Sequence, residues 1–228
     1  MTWNISSEAI SGIIVLIILI YSHNGALLPT LKNKMYQLCL WGTLGSITFN
    51  ILSTLLIYEY ARLPGLLVEL VTLVYFIFTP LMGALYFFYA TAVVFEGDRT
   101  KKAYPFLVVS GALCVAYLFF VAISPFTGAL FSVRPGVGYQ QGPYIAVTYI
   151  VFYAYCLLTL LVVLYRRRHI DAATRRILLS FPLLAVVVIL IQQFFPTYIL
   201  TGSAACCALL IIYLYLQNKQ LKIGRAHV

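Results

Sequence analysis

Glu69 is the ionisable residue that is hardest to explain as a solvated surface group, because it lies within a long apolar run. It follows Pro64 by five residues, so about 7–8 Å of helix would separate it from the end of that run. A charged group at that depth in a bilayer is expensive and usually faces the interior of a helix bundle or a wet cavity. We therefore predict that Glu69 is a candidate site residue. The alternative is an interfacial carboxylate that reaches water or hydrogen-bonds locally.

Uncharged polar residues accompany Glu69 near the same ends of the apolar runs. A small polar cavity, open to one side of a membrane, would explain this grouping. The alternative for each residue is a hydrogen bond between helices, worth about 0.6–2 kcal/mol. The candidate ligand-binding residues are Glu69, Asn50, Tyr139, Tyr149, Gln192 and Gln193.

Three positions are candidates for transmitting a change along the chain. Pro80 lies at the centre of an apolar run, where a proline favours a kink that is either a hinge or a packing bend. Pro196 separates the last two apolar runs and cannot continue a helix, which predicts a tight hairpin. Gln217 begins the polar end of the last run. We treat Pro80, Pro196 and Gln217 as candidate hinge or transmission residues.

The sequence offers no catalytic centre. It contains no paired-carboxylate site, no Gly-rich phosphate loop and no nucleophile motif. Its five cysteines all lie in apolar runs and lack the spacing of zinc ligands. We therefore predict no catalytic residue, no metal and no cofactor.

The composition indicates which class of protein carries these residues. The chain is 63% hydrophobic and 9% charged, with a mean hydropathy of +0.98. Soluble domains carry about 25% charged residues, so this composition indicates an integral membrane protein whose main partner is the lipid bilayer. The net charge of +9 has a simpler cause than nucleic-acid binding, which we do not expect, because Lys and Arg are retained on the cytoplasmic side of membranes.

Seven apolar stretches are long enough, or nearly so, to cross a bilayer, which takes about 20 residues. They predict an all-α fold, a polytopic bundle of seven transmembrane helices in residues 1–216. The predicted spans are residues 7–22, 36–58, 64–95, 103–126, 143–165, 177–195 and 197–216.

The distribution of basic residues predicts the orientation. The segments after the first, third and fifth spans contain ten Lys and Arg residues, whereas those after the second and fourth contain two. This bias predicts an external N-terminus and a cytoplasmic C-terminus in the cell membrane. The polar candidates then lie toward the outside. The long external loop, residues 127–142, contains glycines and a proline typical of turns rather than of a folded outer domain.

The last 90 or so residues resemble a known group of proteins. The segments that carry the resemblance are "LFSVRPGVGYQQGPYIAVTYI", "YRRRHIDAATRRILLSFP", "IQQFFPTYILTGSA" and "LLIIYLYLQNKQ". They are similar to the N-terminal seven-helix sensor regions of bacterial diguanylate cyclases and of some membrane histidine kinases. The first 130 residues share mainly the number and orientation of spans. In that family the last helix continues into a cytoplasmic GGDEF domain, which makes cyclic di-GMP from two GTP molecules.

The end of the sequence departs from this family. No GGDEF domain follows the last span, and "IGRAHV" (223–228) matches a translated sequencing adapter. We expect residues 217–222 to be the connector to a missing cytoplasmic output domain and the last six residues to be an artefact.

Two functions from different classes remain open. The first is the sensory input module of a bacterial signalling protein, most simply a diguanylate cyclase, which responds to an unknown external or membrane-borne ligand. The resemblance implies a homodimer through the output domain, and the present chain itself would not be an enzyme. The second is a small permease or channel that uses Glu69 as an ion or proton site. A scaffold subunit without a ligand is a third possibility.

Overall fold

The computed structural model describes residues 4–24, 30–96, 102–134, 138–195 and 199–217. In these residues the chain forms seven α-helices, and the last of them continues into a π-helical segment, Tyr213–Gln217. The helices are α1 (Ser6–Asn24), α2 (Leu31–Tyr58), α3 (Gly65–Val94), α4 (Tyr104–Thr127), α5 (Ala146–Tyr165), α6 (Ala172–Phe194) and α7 (Thr201–Ile212).

The predicted all-helical membrane architecture is confirmed in its coarser form. Five helices, α1 to α5, are long and apolar enough to cross a membrane within the described part of the chain. Thr201–Leu216 is a shorter apolar helix. The seven crossings and their orientation stay predictions.

The helices form a ring of contacts. Each of α1, α2, α3, α5, α6 and α7 packs on the next in this order, and α7 returns to pack on α1. The fourth helix lies outside this ring, against α3 and α5. The first and last helices of the ring are therefore neighbours, and their contact closes the bundle.

A small β-hairpin lies between α4 and α5. Its strands, β1 (Phe131–Arg134) and β2 (Gly138–Gln141), pair antiparallel, with Phe131 opposite Gln141. The turn chemistry predicted for this loop did not include strand pairing. The hairpin is seated on α3, because the Phe131 ring stacks on the Phe76 ring at 5.2 Å between centroids.

Prolines within two helices are compensated by tyrosines from neighbouring helices. Pro80 in α3 and Pro182 in α6 have no N–H, which frees the carbonyl four residues earlier. The Tyr117 hydroxyl donates to the freed Phe76 carbonyl at 2.9 Å. The Tyr86 hydroxyl donates to the freed Leu178 carbonyl, also at 2.9 Å. Both helices therefore continue through their prolines with these carbonyls satisfied.

Candidate functional site between the first and last helices

The first turn of α1 carries a buried carboxylate. Glu8 is only 1% exposed. Its Oε1 accepts a hydrogen bond from the backbone N–H of Gly202 at 2.8 Å. Its Oε2 has no hydrogen-bond partner among the described residues. Since buried polar atoms are nearly always paired, Glu8 is the strongest candidate functional group in the described part of the chain.

Gly202 lies in the first turn of α7, where backbone N–H groups point out of the helix end. This end carries a partial positive charge, which favours a nearby carboxylate. A Cβ at position 202 would overlap Glu8 Oε2 and the Ile47 side chain of α2. Glycine is therefore what allows α1, α2 and α7 to meet around the carboxylate.

Serine hydroxyls on either side of Glu8 join the same two helices. The Ser7 and Ser203 Oγ atoms are 2.6 Å apart. Ser11 Oγ lies 2.9 Å from Ser203 Oγ and 2.8 Å from the Ser7 carbonyl, to which it donates. We call Ser7, Glu8, Ser11, Gly202 and Ser203 the α1–α7 contact.

The titratable side chains near Glu8 in the described part of the chain are neutral. Tyr75 on α3 and Cys206 on α7 lie within electrostatic range of the Glu8 carboxylate. The two ion pairs formed among the described residues, Lys32–Glu96 and Arg62–Glu59, both lie elsewhere. Among the described residues, the favourable charge on this carboxylate therefore comes from the start of α7 rather than from a cationic side chain.

Two of the predicted site residues lie close to this region. Tyr75 is also within electrostatic range of Tyr139 on β2 and Tyr149 on α5. The Tyr139 ring stacks on Phe131 at 6.3 Å between centroids. Burial, with a smaller contribution from Tyr149, raises the pKa of Tyr139 to about 12, so it is a neutral phenol at physiological pH. Tyr149 is 48% exposed.

Asn50 also approaches the α1–α7 contact. It is buried on α2, three residues after Ile47, the residue that lies against Gly202. Residues three apart on a helix share a face, so Asn50 faces the same side as Ile47.

Glu69 is placed differently from Glu8. It is half-buried near the start of α3, and it has no hydrogen bond or ion pair with any described residue. It is not part of the α1–α7 contact. Its role as a ligand, ion or proton site stays a prediction.

Several other predicted residues cannot be placed in this site. The side chains of Gln192, Gln193 and Gln217, and all of Pro196, lie outside the described residues. Pro80 is described and buried, and the Phe76 carbonyl that it frees is bonded to Tyr117. Whether these residues act as hinges stays a prediction.

Sequence reasoning missed Glu8 because acidic residues are common in the first turn of any helix. It lies at the start of the first apolar run, the ordinary place for an acidic residue at a helix N-terminus. One signal was available. Ser7 and Ser11 lie four residues apart on one face of the first run, and Gly202 and Ser203 begin the last. Small residues at matching ends indicate close helix packing.

A cavity of about 300 Å³ lies at the opposite end of the bundle. It is bordered by the end of α3, the start of α6 and the π-helical segment after α7. Although it includes acidic residues and a histidine, the described residues contain no group of three or more such side chains that could hold a metal. The polar side chains of its lining are Lys32, Tyr89, Glu96, His169, Asp171 and Thr174.

Comparison with known protein families, curated proteins and solved structures finds no match to this chain. The resemblance to seven-helix sensor regions therefore rests on the sequence segments alone, and what it implies stays a prediction.

Proposed function

We propose that this chain is the membrane-embedded input module of a bacterial signalling protein, in which α7 carries a signal from the outer side of the membrane to a cytoplasmic output domain. By resemblance, that domain is a GGDEF diguanylate cyclase or, as a less favoured choice, a histidine kinase. The observation that carries the proposal is the α1–α7 contact, which attaches the helix leading to the output domain to the first helix of the bundle.

Different elements hold the two ends of α7. The start of α7 is bonded to α1, and its inner part is bonded to α2. At the outer end by the predicted orientation, Glu8 and the serines bond to Gly202 and Ser203. Near the inner end, the Tyr36 hydroxyl of α2 donates to the Leu209 carbonyl at 3.1 Å. The described polar contacts of α7 thus lie at its start and near its inner end, and a change at the outer end has a direct route along the helix.

The inner end of α7 also has features suited to transmission. Its regular hydrogen bonding changes to a π-helical segment at Tyr213–Gln217. π-helical turns are frequent at functional sites. Leu216 in this segment borders the 300 Å³ cavity at the inner end. A shift of α7 would alter both the segment and the cavity.

A ligand shifts such a module only if it binds two states of α7 with different affinities. The Tyr139 and Tyr149 region beside Tyr75 is the proposed outer site, and Glu69, Gln192 and Gln193 are further candidates for it. GGDEF chemistry needs two domains face to face, so the proposal includes a homodimer.

The first test is the continuation of the reading frame at the genomic locus. A GGDEF or kinase domain after Lys222 is the expected result. A stop codon near that position would contradict the proposal and favour the permease.

The second test measures cyclic di-GMP in cells that express the full-length protein. Ser203→Ala removes hydroxyl contacts from the α1–α7 contact, each worth about 1 kcal/mol, which shifts a two-state equilibrium by about fivefold. The matched control is Ser53→Ala, which removes a buried Ser53–Thr72 contact between α2 and α3. We expect output to change with Ser203→Ala and not with Ser53→Ala. Unchanged output in both variants would contradict a role for the α1–α7 contact in signalling.

The second candidate function is the small permease or channel, and the buried acid at Glu8 is the observation in its favour. Intramembrane carboxylates are frequent in ion and proton pathways. Purified protein in liposomes distinguishes the two functions. Proton or ion flux that is lost in Glu8→Gln or Glu69→Gln would support the permease, and no flux above that of empty liposomes would exclude it.

A further inference from the structure

We propose that Glu8 is a proton-binding site that controls how tightly the N-terminal end of α7 packs against α1. This inference depends on the packing of the two helices and not on the signalling role, and it would hold equally for a permease.

The described residues pack tightly around the Glu8 carboxylate. Glu8 is 1% exposed, and its Oε2 lies against the backbone of Gly202 and close to Ile47. A proton requires no cavity, and it converts the unpartnered oxygen from a buried charge into a hydroxyl. Among ligands of a carboxylate it is therefore the one that this geometry admits.

The packed arrangement favours the protonated carboxyl. A buried carboxylate without a cation has lost its hydration and is compensated here by one backbone hydrogen bond and the partial charge of a helix end. Among the described residues, the titratable side chains within electrostatic range of it are Tyr75 from α3 and Cys206 from α7, and neither supplies a positive charge. From α2 the facing residue is the apolar Ile47. No described residue on any of these elements stabilises the anion by an ion pair.

The deprotonated carboxyl is better hydrated when it leaves the contact. Because Glu8 is buried between α1, α2 and α7, it reaches water only if α1 and α7 separate at this end. The separated state breaks the Glu8–Gly202 hydrogen bond and the Ser7–Ser203 and Ser11–Ser203 contacts together. One proton thus controls several bonds that hold the start of α7.

The sign of the pH dependence follows from this coupling. The packed state binds the proton more tightly than the separated state, so low pH favours packing. As the pH rises, the ratio of separated to packed molecules increases by up to about tenfold per pH unit, the limit for one linked proton. The increase ends where the packed state has also lost its proton.

The test uses the full chain in lipid nanodiscs and two independent readouts across a pH series. Infrared difference spectroscopy follows the C=O stretch of a protonated carboxyl. Hydrogen exchange, corrected for the intrinsic pH dependence of the amide rate, follows the protection of residues 199–206. In the wild type we expect a titrating carboxyl band and α7 protection that falls as the pH rises.

Glu8→Gln keeps an acceptor for Gly202 but has no proton to exchange. We expect it to lose the titrating band and to give α7 protection that does not depend on pH. Glu59→Gln, at an exposed carboxylate that pairs with Arg62, is the matched control and should retain both wild-type behaviours. Should Glu8→Gln fail to fold, Glu8→Asp supplies the second variant, with a titrating band whose midpoint is shifted from that of the wild type.

Two results would overturn the proposal. One is a titrating band of wild-type amplitude in Glu8→Gln, or of unchanged midpoint in Glu8→Asp. The other is α7 protection in the wild type that is constant across the pH series. Neither result bears on cyclic di-GMP output, so the failure of this proposal and that of the proposed signalling function can be told apart.

Discussion

The first turns of α6 and α7 each donate a backbone hydrogen bond to a carboxylate, Asp171 for α6 and Glu8 for α7. The two carboxylates differ in origin and in burial. The Asp171 side chain accepts from the Thr174 N–H at 2.9 Å and from the Thr174 hydroxyl at 2.7 Å, and so caps its own helix, α6, on an exposed surface. Glu8 accepts from Gly202 at the start of α7, but it comes from α1, 194 residues earlier, and is buried. Asp171 is a local cap at the start of one helix, whereas Glu8 is a tertiary contact that joins two.

This comparison predicts that variants of the α1–α7 contact have large effects and that variants of local or exposed groups have small ones. The following predictions test it, from the largest expected effect to the smallest.

Gly202→Val should have the largest effect. A side chain at position 202 would overlap the Glu8 carboxylate and Ile47, and such overpacking destabilises by up to about 3 kcal/mol. The matched control is Gly111→Ala in α4, where a Cβ meets no atom within 4 Å and alanine should stabilise the helix by about 0.5–1 kcal/mol. Thermal unfolding in detergent measures both variants. A Gly202→Val protein as stable as the wild type would show that the helices meet less closely than described.

Glu8→Leu should destabilise the protein by about 2 kcal/mol. It leaves the buried Gly202 N–H without its acceptor, and an unsatisfied buried donor costs about 1–3 kcal/mol. Glu69→Leu removes a half-buried carboxylate that has no bond to a described residue, so its effect should stay within about 0.5 kcal/mol. The same unfolding assay compares the two. Equal losses in both variants would remove the distinction between the two carboxylates.

Tyr117→Phe should cost about 1 kcal/mol, because it removes the hydroxyl that bonds the Phe76 carbonyl freed by Pro80. This contact joins two helices as Glu8 does, but it is uncharged. In the double variant with Pro80→Ala, the restored backbone N–H can bond Phe76 instead. The loss caused by Tyr117→Phe should therefore be smaller in the Pro80→Ala background, as a double-mutant cycle would show. Strict additivity would mean that the hydroxyl does not compensate the proline.

Asp171→Ala should have the smallest effect, about 0.5 kcal/mol at neutral pH, because the cap is exposed. The hydrogen bonds from Thr174 lower the pKa of Asp171 below its ordinary value of 3.8. Its stabilisation is therefore complete above that value and is lost as the pH falls through the lowered pKa. The difference in thermal midpoint between the wild type and Asp171→Ala should shrink below pH 3.8. Asp171→Asn, which keeps a capping oxygen, is the control and should not show this pH dependence.

The helices of this protein were readable from the sequence, because apolar length and interrupting prolines and charges are local signals. The predicted stretch 36–58 lies within α2, and 103–126 is displaced by one residue from α4. The β-hairpin was missed, since its strands are four residues each and are held in part by the stacking of Phe131 on Phe76. That contact is not a local signal.

The candidate site was harder to predict from the sequence than the helices, because it also depends on contacts between residues far apart in the chain. Depth within an apolar run singled out Glu69, but depth does not determine which residue is covered by a neighbouring helix. Glu8 becomes exceptional only when α7 returns to α1 and places Gly202 against it. Tyr139 and Tyr149 were among the predicted site residues, and both lie within electrostatic range of Tyr75, but whether they bind a ligand stays a prediction.

The closure of the ring also has a consequence for biosynthesis. Glu8 is synthesised 194 residues before the backbone group from which it accepts a hydrogen bond, so α1 is made before its partner helix exists. During that interval the Glu8 carboxyl must stay in contact with water or be shielded by other helices. The α1–α7 contact can therefore form only after α7 has been synthesised. A nascent chain that stops before residue 202 would expose an unmatched acid to quality-control proteases, and its half-life should be shorter than that of the complete bundle.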